Sequence, residues 1–177
     1  VQDIYCAENA ETFALDTYDV IIAAIDSLAE KAHLILRATQ TGALFVSSMG
    51  AALKMDPTRV QIAEFSNVRG CPLARALRNK FTRATTWPKR KVRCVFSDEV
   101  LPNLGVDDIT EPEPTVAEST DHEEGRADLL QHSWNDRNAQ INGTLSHIPA
   151  IFGFTLAGII IDKIYREEVQ RTEKNSN

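Results

Sequence analysis

Residues 18–46 read YDVIIAAIDSLAEKAHLILRATQTGALFV, and this stretch decides the fold. It opens with an apolar run over residues 18–25, which is typical of a strand buried on both faces of a sheet. Residues 28–40 carry apolar side chains at helical spacing, and residues 44–46 form a second short apolar run. A strand, a helix and a strand in about 30 residues predict a βαβ unit, and therefore an α/β protein with a parallel sheet. A short helix is also predicted before this unit, over residues 7–15.

Further elements are predicted downstream. Residues 59–65 alternate between polar and apolar side chains, which indicates a more exposed strand, and residues 91–96 (KVRCVF) indicate another. Pro72 begins a predicted helix, because proline fits the first turn. Residues 148–171 predict one long helix that is apolar first and charged later. Its uncharged part, residues 148–161, is shorter than the roughly 20 residues of a membrane span, so we expect a buried helix and no membrane association.

The composition is typical of a globular domain with an ordinary core. The chain has 177 residues, 43% of them hydrophobic and 25% charged, and a net charge of −6 excludes a uniformly basic nucleic-acid binder. The three cysteines Cys6, Cys71 and Cys94 are far apart and form no CxxC pair, so neither a zinc ribbon nor a disulfide framework is indicated. No signal peptide is visible, because Asp3 and Glu8 lie where a basic segment is needed. We therefore expect a reducing, cytoplasmic location.

An acidic segment interrupts the pattern of helices and strands. Residues 98–128 contain eleven Asp or Glu residues and one arginine, and residues 107–138 have few large apolar side chains. This composition predicts a flexible acidic loop over residues 98–138.

Asp26 is the sharpest single candidate for a functional residue. It follows the first predicted strand directly, and ligands of open parallel sheets bind outside the carboxyl ends of the strands. A carboxylate there is suited to hold Mg²⁺ on a nucleotide. The alternative is structural, since either Asp26 or Ser27 can cap the helix that follows. The spacing alone leaves both interpretations open.

A basic segment is the second candidate. Between Arg69 and Arg93 lie nine basic residues and no acidic one, interleaved with Phe81 and Trp87. Such a segment can follow phosphates and offer a ring for base stacking, although a solvated helix face gives the same pattern. The candidate RNA-binding residues are Arg75, Arg78, Lys80, Arg90 and Lys91.

Several blocks resemble one family. YDVIIAAIDSLAEKAHLI is similar to the segment of the ThiF/MoeB adenylating superfamily that follows its Gly-rich nucleotide loop. FVSSMGAALKMDPTRVQIAEFSNVRGCPLARALRNKF resembles the tRNA threonylcarbamoyladenosine dehydratases of that superfamily, and so do KVRCVFSDE and NGTLSHIPAIFGFTLAGIIIDKI. The resemblance covers roughly residues 1–105 and 140–165. The chain departs from the family at Cys71, where an aspartate is usual.

The resemblance implies a Rossmann-like fold with a mixed sheet and a long C-terminal helix. It also implies ATP and Mg²⁺ as cofactors, with Asp26 contacting Mg·ATP and Ser27 beside it. The implied reaction adenylates the carboxylate of the threonylcarbamoyl group on adenosine 37 of a tRNA. A group of the same side chain then closes a ring and releases AMP. The implied partners are a tRNA anticodon loop and a second copy of the chain.

No GxGxxG or GxxxxGK[ST] motif occurs in the 177 residues. We therefore expect one partial ThiF-type domain over residues 1–177, a fragment that lacks the N-terminal nucleotide-binding half and is inactive alone. Two alternatives stay open. One is an adenylyltransferase for a ubiquitin-like sulfur-carrier protein, and the other is a non-catalytic module for tRNA binding or dimerisation.

Overall fold

The computed structural model describes residues 4–102 and 143–175. The chain divides into two compact units, Val1–Leu101 together with Thr144–Asn177, and Pro102–Gly143. The architecture below belongs to the first unit. Its strands are β1 (Val20–Ala23), β2 (Leu44–Ser48), β3 (Val60–Glu64) and β4 (Arg93–Ser97), and its helices are α1 (Leu28–Ala38), α2 (Pro72–Arg83) and α3 (His147–Asn175).

The four strands form one mixed sheet in the order β1-β2-β4-β3. Strands β1, β2 and β4 are parallel, with Ile21 opposite Phe45 and Ser47 opposite Cys94. Strand β3 is antiparallel to β4 and lies at the edge. The predicted βαβ unit and mixed sheet are therefore confirmed, and the carboxyl ends of β1, β2 and β4 share one edge of the sheet.

Helices cover both faces of the sheet. On one face, α1 and α2 pack over a large apolar cluster that includes Ile35, Leu77 and Phe81. On the other face, α3 packs against β2 and β4 through Ile148 and Phe152. The result is a three-layer α/β/α arrangement.

Strand β1 is not buried on both faces, as its apolar run predicted. Ile21 and Ala23 face the α1 and α2 layer and are buried, whereas Ile22 on the opposite face is 47% exposed. The reason is that α3 packs on β2 and β4, nearer the middle of the sheet. An apolar run reports hydrophobicity but not which helices will cover it.

Helix α3 is also less buried than predicted. Its buried side chains are Ile148, Phe152, Leu156 and Ile159, a single stripe. Of the most apolar part of the helix, only 22% is buried, and by length and composition α3 is long and apolar enough to cross a membrane. The helix begins at His147 and ends at Asn175, so it extends well beyond the uncharged stretch from which its burial was predicted.

Local signals placed most element boundaries well. Pro72 occupies the first turn of α2, as predicted. The short helix expected over residues 7–15 is instead two 3₁₀ turns, Ala10–Phe13 and Leu15–Thr17. Most of the predicted acidic loop, residues 103–138, lies outside the described residues.

Candidate active site

The carboxyl edge of the parallel strands carries the candidate site. Asp26 follows β1 by three residues and its side chain is exposed. Its carboxylate makes no hydrogen bond or ion pair with residues 4–102 or 143–175. Asp26 therefore lies at the carboxyl edge of the parallel strands, the position at which ligands of such sheets commonly bind.

The helix cap is Ser27. The backbone N–H of Glu30 donates to the Ser27 hydroxyl across 3.4 Å, which satisfies one of the free donors at the start of α1. Asp26 takes no part in this cap. The structural alternative for Asp26 is therefore removed, while Ser27 has a structural role that does not depend on a ligand.

Lys31 is a residue of this site that sequence reasoning missed. Its side chain is 1% exposed, and its ammonium donates to the backbone carbonyls of Ala23 (3.1 Å) and Ile25 (2.9 Å). These bonds hold the backbone that leads from β1 to Asp26. The available signal was a charged side chain four residues before Ile35, on the apolar face of α1.

Burial sets the protonation of Lys31. Removal from water disfavours the ammonium and lowers its pKa from 10.5 to about 8, although the nearby Asp26 carboxylate opposes the shift. Asp26 and Lys31 thus act on each other electrostatically. Removal of the Asp26 carboxylate would lower the pKa of Lys31 further.

The lowered pKa of Lys31 predicts a rise in stability with pH. Between pH 8 and 10.5 the unfolded state holds a proton on Lys31 that the folded state has lost, so the free energy of unfolding increases with pH. The gain is about 1 kcal/mol between pH 8 and 9. Urea unfolding of the chain and of Lys31→Met at both pH values measures it, because the variant lacks this gain.

Parallel pH curves for the two proteins would contradict the prediction. The comparison is best made below pH 9, since the buried Cys94 and the partly buried Tyr5 act increasingly in the opposite direction above it. Burial raises the pKa of Cys94 to about 12 and that of Tyr5 to about 12. Ionisation of these groups in the unfolded state lowers stability at higher pH.

A second set of contacts orders the loop after β2. The Glu99 carboxylate accepts hydrogen bonds from the backbone N–H groups of Met55 (2.7 Å) and Asp56 (2.9 Å), and these bonds hold its pKa below the usual range. The buried Lys54 ammonium donates to the Glu99 carbonyl, and burial lowers the pKa of Lys54. The start of the acidic segment is therefore bound to the body of the domain.

An ion pair lies beside this loop. The Arg59 guanidinium donates to Asp98 across 2.9 Å, and this bond lowers the pKa of the Asp98 carboxyl. Both residues are partly exposed, so the pair contributes little stability. It does fix the position of the chain as it leaves β4.

The basic residues are not assembled into one patch. Gly70, before α2, approaches the backbone of Asp98 at the carboxyl end of β4, whereas Phe81 in the last turn contacts Trp87, which precedes β4. Helix α2 therefore runs from one edge of the sheet to the other. The candidates Arg75, Arg78 and Lys80 are spread along it.

Two of the five candidate RNA-binding residues have structural partners. Arg78 donates to the carbonyl of Phe65 (3.2 Å) and lies over its ring. Arg90 donates to the carbonyls of Thr39 and Ala43, at 3.2 and 2.9 Å, where α1 ends.

The other three candidates are free in the described part of the chain. Arg75, Lys80 and Lys91 are exposed, and their side chains contact no acidic or carbonyl group there.

The residues present fit a nucleotide-borne Mg²⁺. Within residues 4–102 and 143–175, no group of three His, Cys, Asp or Glu side chains could hold a metal ion by itself. Magnesium on a nucleotide needs only one or two protein carboxylates, because phosphates and waters supply its other ligands. Asp26 is an exposed carboxylate of that kind.

Comparison with known proteins gives consistent results, although no family model matches the chain. It is 27% identical over 180 residues to tRNA threonylcarbamoyladenosine dehydratase 2 of Saccharomyces cerevisiae, covering 98% of the chain and 37% of that protein. It is 38% identical over 95 residues to the tRNA threonylcarbamoyladenosine dehydratase of Bacillus subtilis, covering 54% of the chain and 37% of that protein.

A solved structure shares the fold. The Escherichia coli tRNA threonylcarbamoyladenosine dehydratase in complex with ATP superposes with a TM-score of 0.68 at 23% identity, covering 96% of this chain and 57% of that one. The chain thus spans between about a third and three fifths of the length of these relatives. These matches confirm the α/β fold, and over part of their length the chain is similar to the tRNA threonylcarbamoyladenosine dehydratases that its motifs resemble.

Proposed function

We propose that the chain forms the part of an ATP-dependent tRNA threonylcarbamoyladenosine dehydratase that places the Asp26 carboxylate beside Mg·ATP. The observation that carries this proposal is Asp26 itself, an exposed carboxylate at the carboxyl edge of a parallel sheet, with no hydrogen bond or ion pair in the described residues. Its backbone is held by the two bonds from Lys31. The names of the relatives support the choice of reaction.

The proposed chemistry makes limited demands on the protein. The carboxylate of the threonylcarbamoyl group attacks the α-phosphorus of ATP and displaces pyrophosphate. A group of the same side chain then attacks the activated carbonyl, a ring closes, and AMP leaves, so the net change is loss of one water. The attacking group belongs to the substrate, and the protein supplies positioning and charge stabilisation. Mg²⁺, when bound, neutralises phosphate charge.

The phosphates need a further binding element. The sequence contains no Gly-rich phosphate-loop motif, and the described part of the chain offers Asp26 at the relevant edge. We infer that a phosphate-binding segment outside these residues completes the site. The 177-residue chain alone is then expected to release no AMP from ATP.

The basic side chains without a partner in the described residues are the ones proposed to contact the tRNA. Arg75, Lys80 and Lys91 are exposed and unpaired within the described residues, so they are available to phosphates. Arg78 and Arg90 would affect RNA binding only indirectly, because their guanidinium groups donate to backbone carbonyls of the protein.

Helix α3 supports a homodimer. Phe154, Ile161 and Tyr165 are 78%, 65% and 68% exposed. Their spacing places them with Gly158 on one stripe of the helix, opposite the buried stripe. A second copy of this helix would cover such a stripe. Monomeric behaviour in sedimentation at micromolar concentration would contradict the homodimer. The cytoplasmic location and the sulfur-carrier partner remain predictions from the sequence.

The test of the proposed function compares two substrates. The polypeptide that carries these residues together with a phosphate-binding loop is incubated with ATP and Mg²⁺. One reaction contains tRNA bearing threonylcarbamoyladenosine, and the other contains a ubiquitin-like carrier protein ending in Gly-Gly. We expect AMP only with the tRNA. AMP formation with the carrier alone would replace the proposal by the sulfur-carrier alternative.

A further inference from the structure

A cleft of about 280 Å³ lies at the amino end of β4, away from Asp26. Trp87 and Pro88 line one side, and Lys89, Arg90 and Lys91 add three cationic side chains. Glu64 is the one acidic residue of the lining. The cleft therefore combines a large aromatic surface with net positive charge.

The Trp87 ring contacts a buried pair of aromatic side chains. Phe81 is 1% exposed, and its ring centroid lies 6.0 Å from that of Trp87. Phe65, also buried, packs edge-on against Phe81 at 5.8 Å. Trp87 itself is 47% exposed, so the indole contacts the core through Phe81 and remains partly open to solvent.

The segment that carries Trp87 is fastened to α1. The Arg90 guanidinium bonds to carbonyls at the end of that helix, and the Lys89 N–H donates to the Thr39 hydroxyl across 3.2 Å. The cleft is therefore built from long-range contacts between residues about 50 positions apart. A positioned ring costs less conformational entropy on binding than a mobile one.

We propose that this cleft binds an unpaired RNA base, which stacks on Trp87 while Lys89 and Lys91 contact the adjoining phosphates. Unpaired bases in RNA loops are recognised by stacking on aromatic side chains, and the backbone is followed by cations. The partly exposed indole of Trp87 and the cationic lining supply both. The choice of a tRNA loop as ligand rests on the proposed function.

The base in the cleft is not the one that reacts. Strand β4 runs from Arg93 to Ser97, and at about 3.3 Å per residue it separates the two edges of the sheet by roughly 13 Å. The cleft lies before the first of these residues, and Asp26 lies at the edge reached by the last. The cleft is therefore a second contact, which orients a loop whose reactive nucleotide is at Asp26.

The experiment uses tryptophan fluorescence and RNA affinity. The chain has two tryptophans, so Trp134→Phe leaves Trp87 as the only indole. The probes are a fluorescein-labelled RNA anticodon stem-loop and a fully paired RNA duplex of the same length. We expect the stem-loop to quench Trp87 more than the duplex does. Trp87→Ala should weaken stem-loop binding about tenfold, with Trp87→Phe in between.

Controls separate stacking from folding and charge. Tyr18→Ala removes an equally exposed aromatic side chain that does not line the cleft and should leave affinity unchanged. Lys89→Ala with Lys91→Ala should reduce the salt dependence of binding. Circular dichroism melts of every variant show whether folding is retained, and Trp87→Phe keeps the test valid should Trp87→Ala unfold.

Two results would contradict the proposal that the cleft binds an unpaired base. One is unchanged stem-loop affinity in a folded Trp87 variant, and the other is equal weakening of stem-loop and duplex. Either leaves the proposed function intact if AMP formation with tRNA persists. Loss of AMP formation with both substrates in the wild-type protein would instead overturn the proposed function.

Discussion

Asp26→Asn, in the polypeptide that includes a phosphate-binding loop, is expected to lower ATP-dependent AMP formation by about 100-fold or more. The amide keeps the shape of the side chain but removes the charge that would face Mg²⁺. Thermal stability should change little, because Asp26 is exposed and makes no hydrogen bond in the described residues. One indirect effect is predicted: the pKa of Lys31 falls further without the opposing carboxylate.

The matched control is Asp19→Asn. Asp19 is also exposed and adjoins β1, but it precedes the strand and lies at the opposite edge of the sheet. We expect wild-type AMP formation from it. Equal losses in the two variants, or a fall in the melting temperature of Asp26→Asn that matches its loss of activity, would show that Asp26 has no special part in the reaction.

Gly70→Ala is expected to reduce the free energy of unfolding by about 3 kcal/mol. Gly70 has a φ of +62°, a backbone conformation that residues with a Cβ rarely adopt. A Cβ there would lie 2.7 Å from both the carbonyl carbon and the Cα of Asp98, and closer still to its carbonyl oxygen. These are backbone atoms at the end of β4, so neither partner can move away without shifting a strand.

Gly42→Ala provides the comparison. A Cβ at Gly42 meets nothing within 4 Å, and its φ lies outside the region that favours glycine. Urea unfolding of both variants gives the two free energies. A change below about 1 kcal/mol for Gly70→Ala, or equal changes in the two variants, would contradict the packing described here.

Local patterns predicted the framework because they act over a few residues. The apolar run before Asp26 and the proline that begins α2 both reflect local energetics, and the structure contains the strand and the helix that they predicted. Asp26 could be placed at the correct edge from its position after a strand. The sequence could not show that Asp26 stays out of the helix cap, because aspartate and serine are both favoured at that position.

The sequence did not reveal the roles of residues whose partners are distant along the chain. Arg90 looked like one cation in a basic run, yet it holds carbonyls at the end of α1, about 50 residues away. Lys31 was not singled out from the sequence, yet it is buried and donates to the carbonyls of Ala23 and Ile25, just before Asp26. For helix α3 the error was the opposite one: its apolar sequence predicted burial, but most of its apolar part is exposed.

The central claim is that these residues serve an ATP-dependent dehydration of a tRNA nucleoside, with Asp26 beside the nucleotide. The most direct test is mass analysis of the modified nucleoside after incubation of threonylcarbamoyl-bearing tRNA with the loop-containing polypeptide, ATP and Mg²⁺. We expect the nucleoside to lose one water per AMP released, and we expect almost no conversion with Asp26→Asn. An unchanged nucleoside with the folded wild-type protein, or equal conversion by Asp26→Asn, would contradict it.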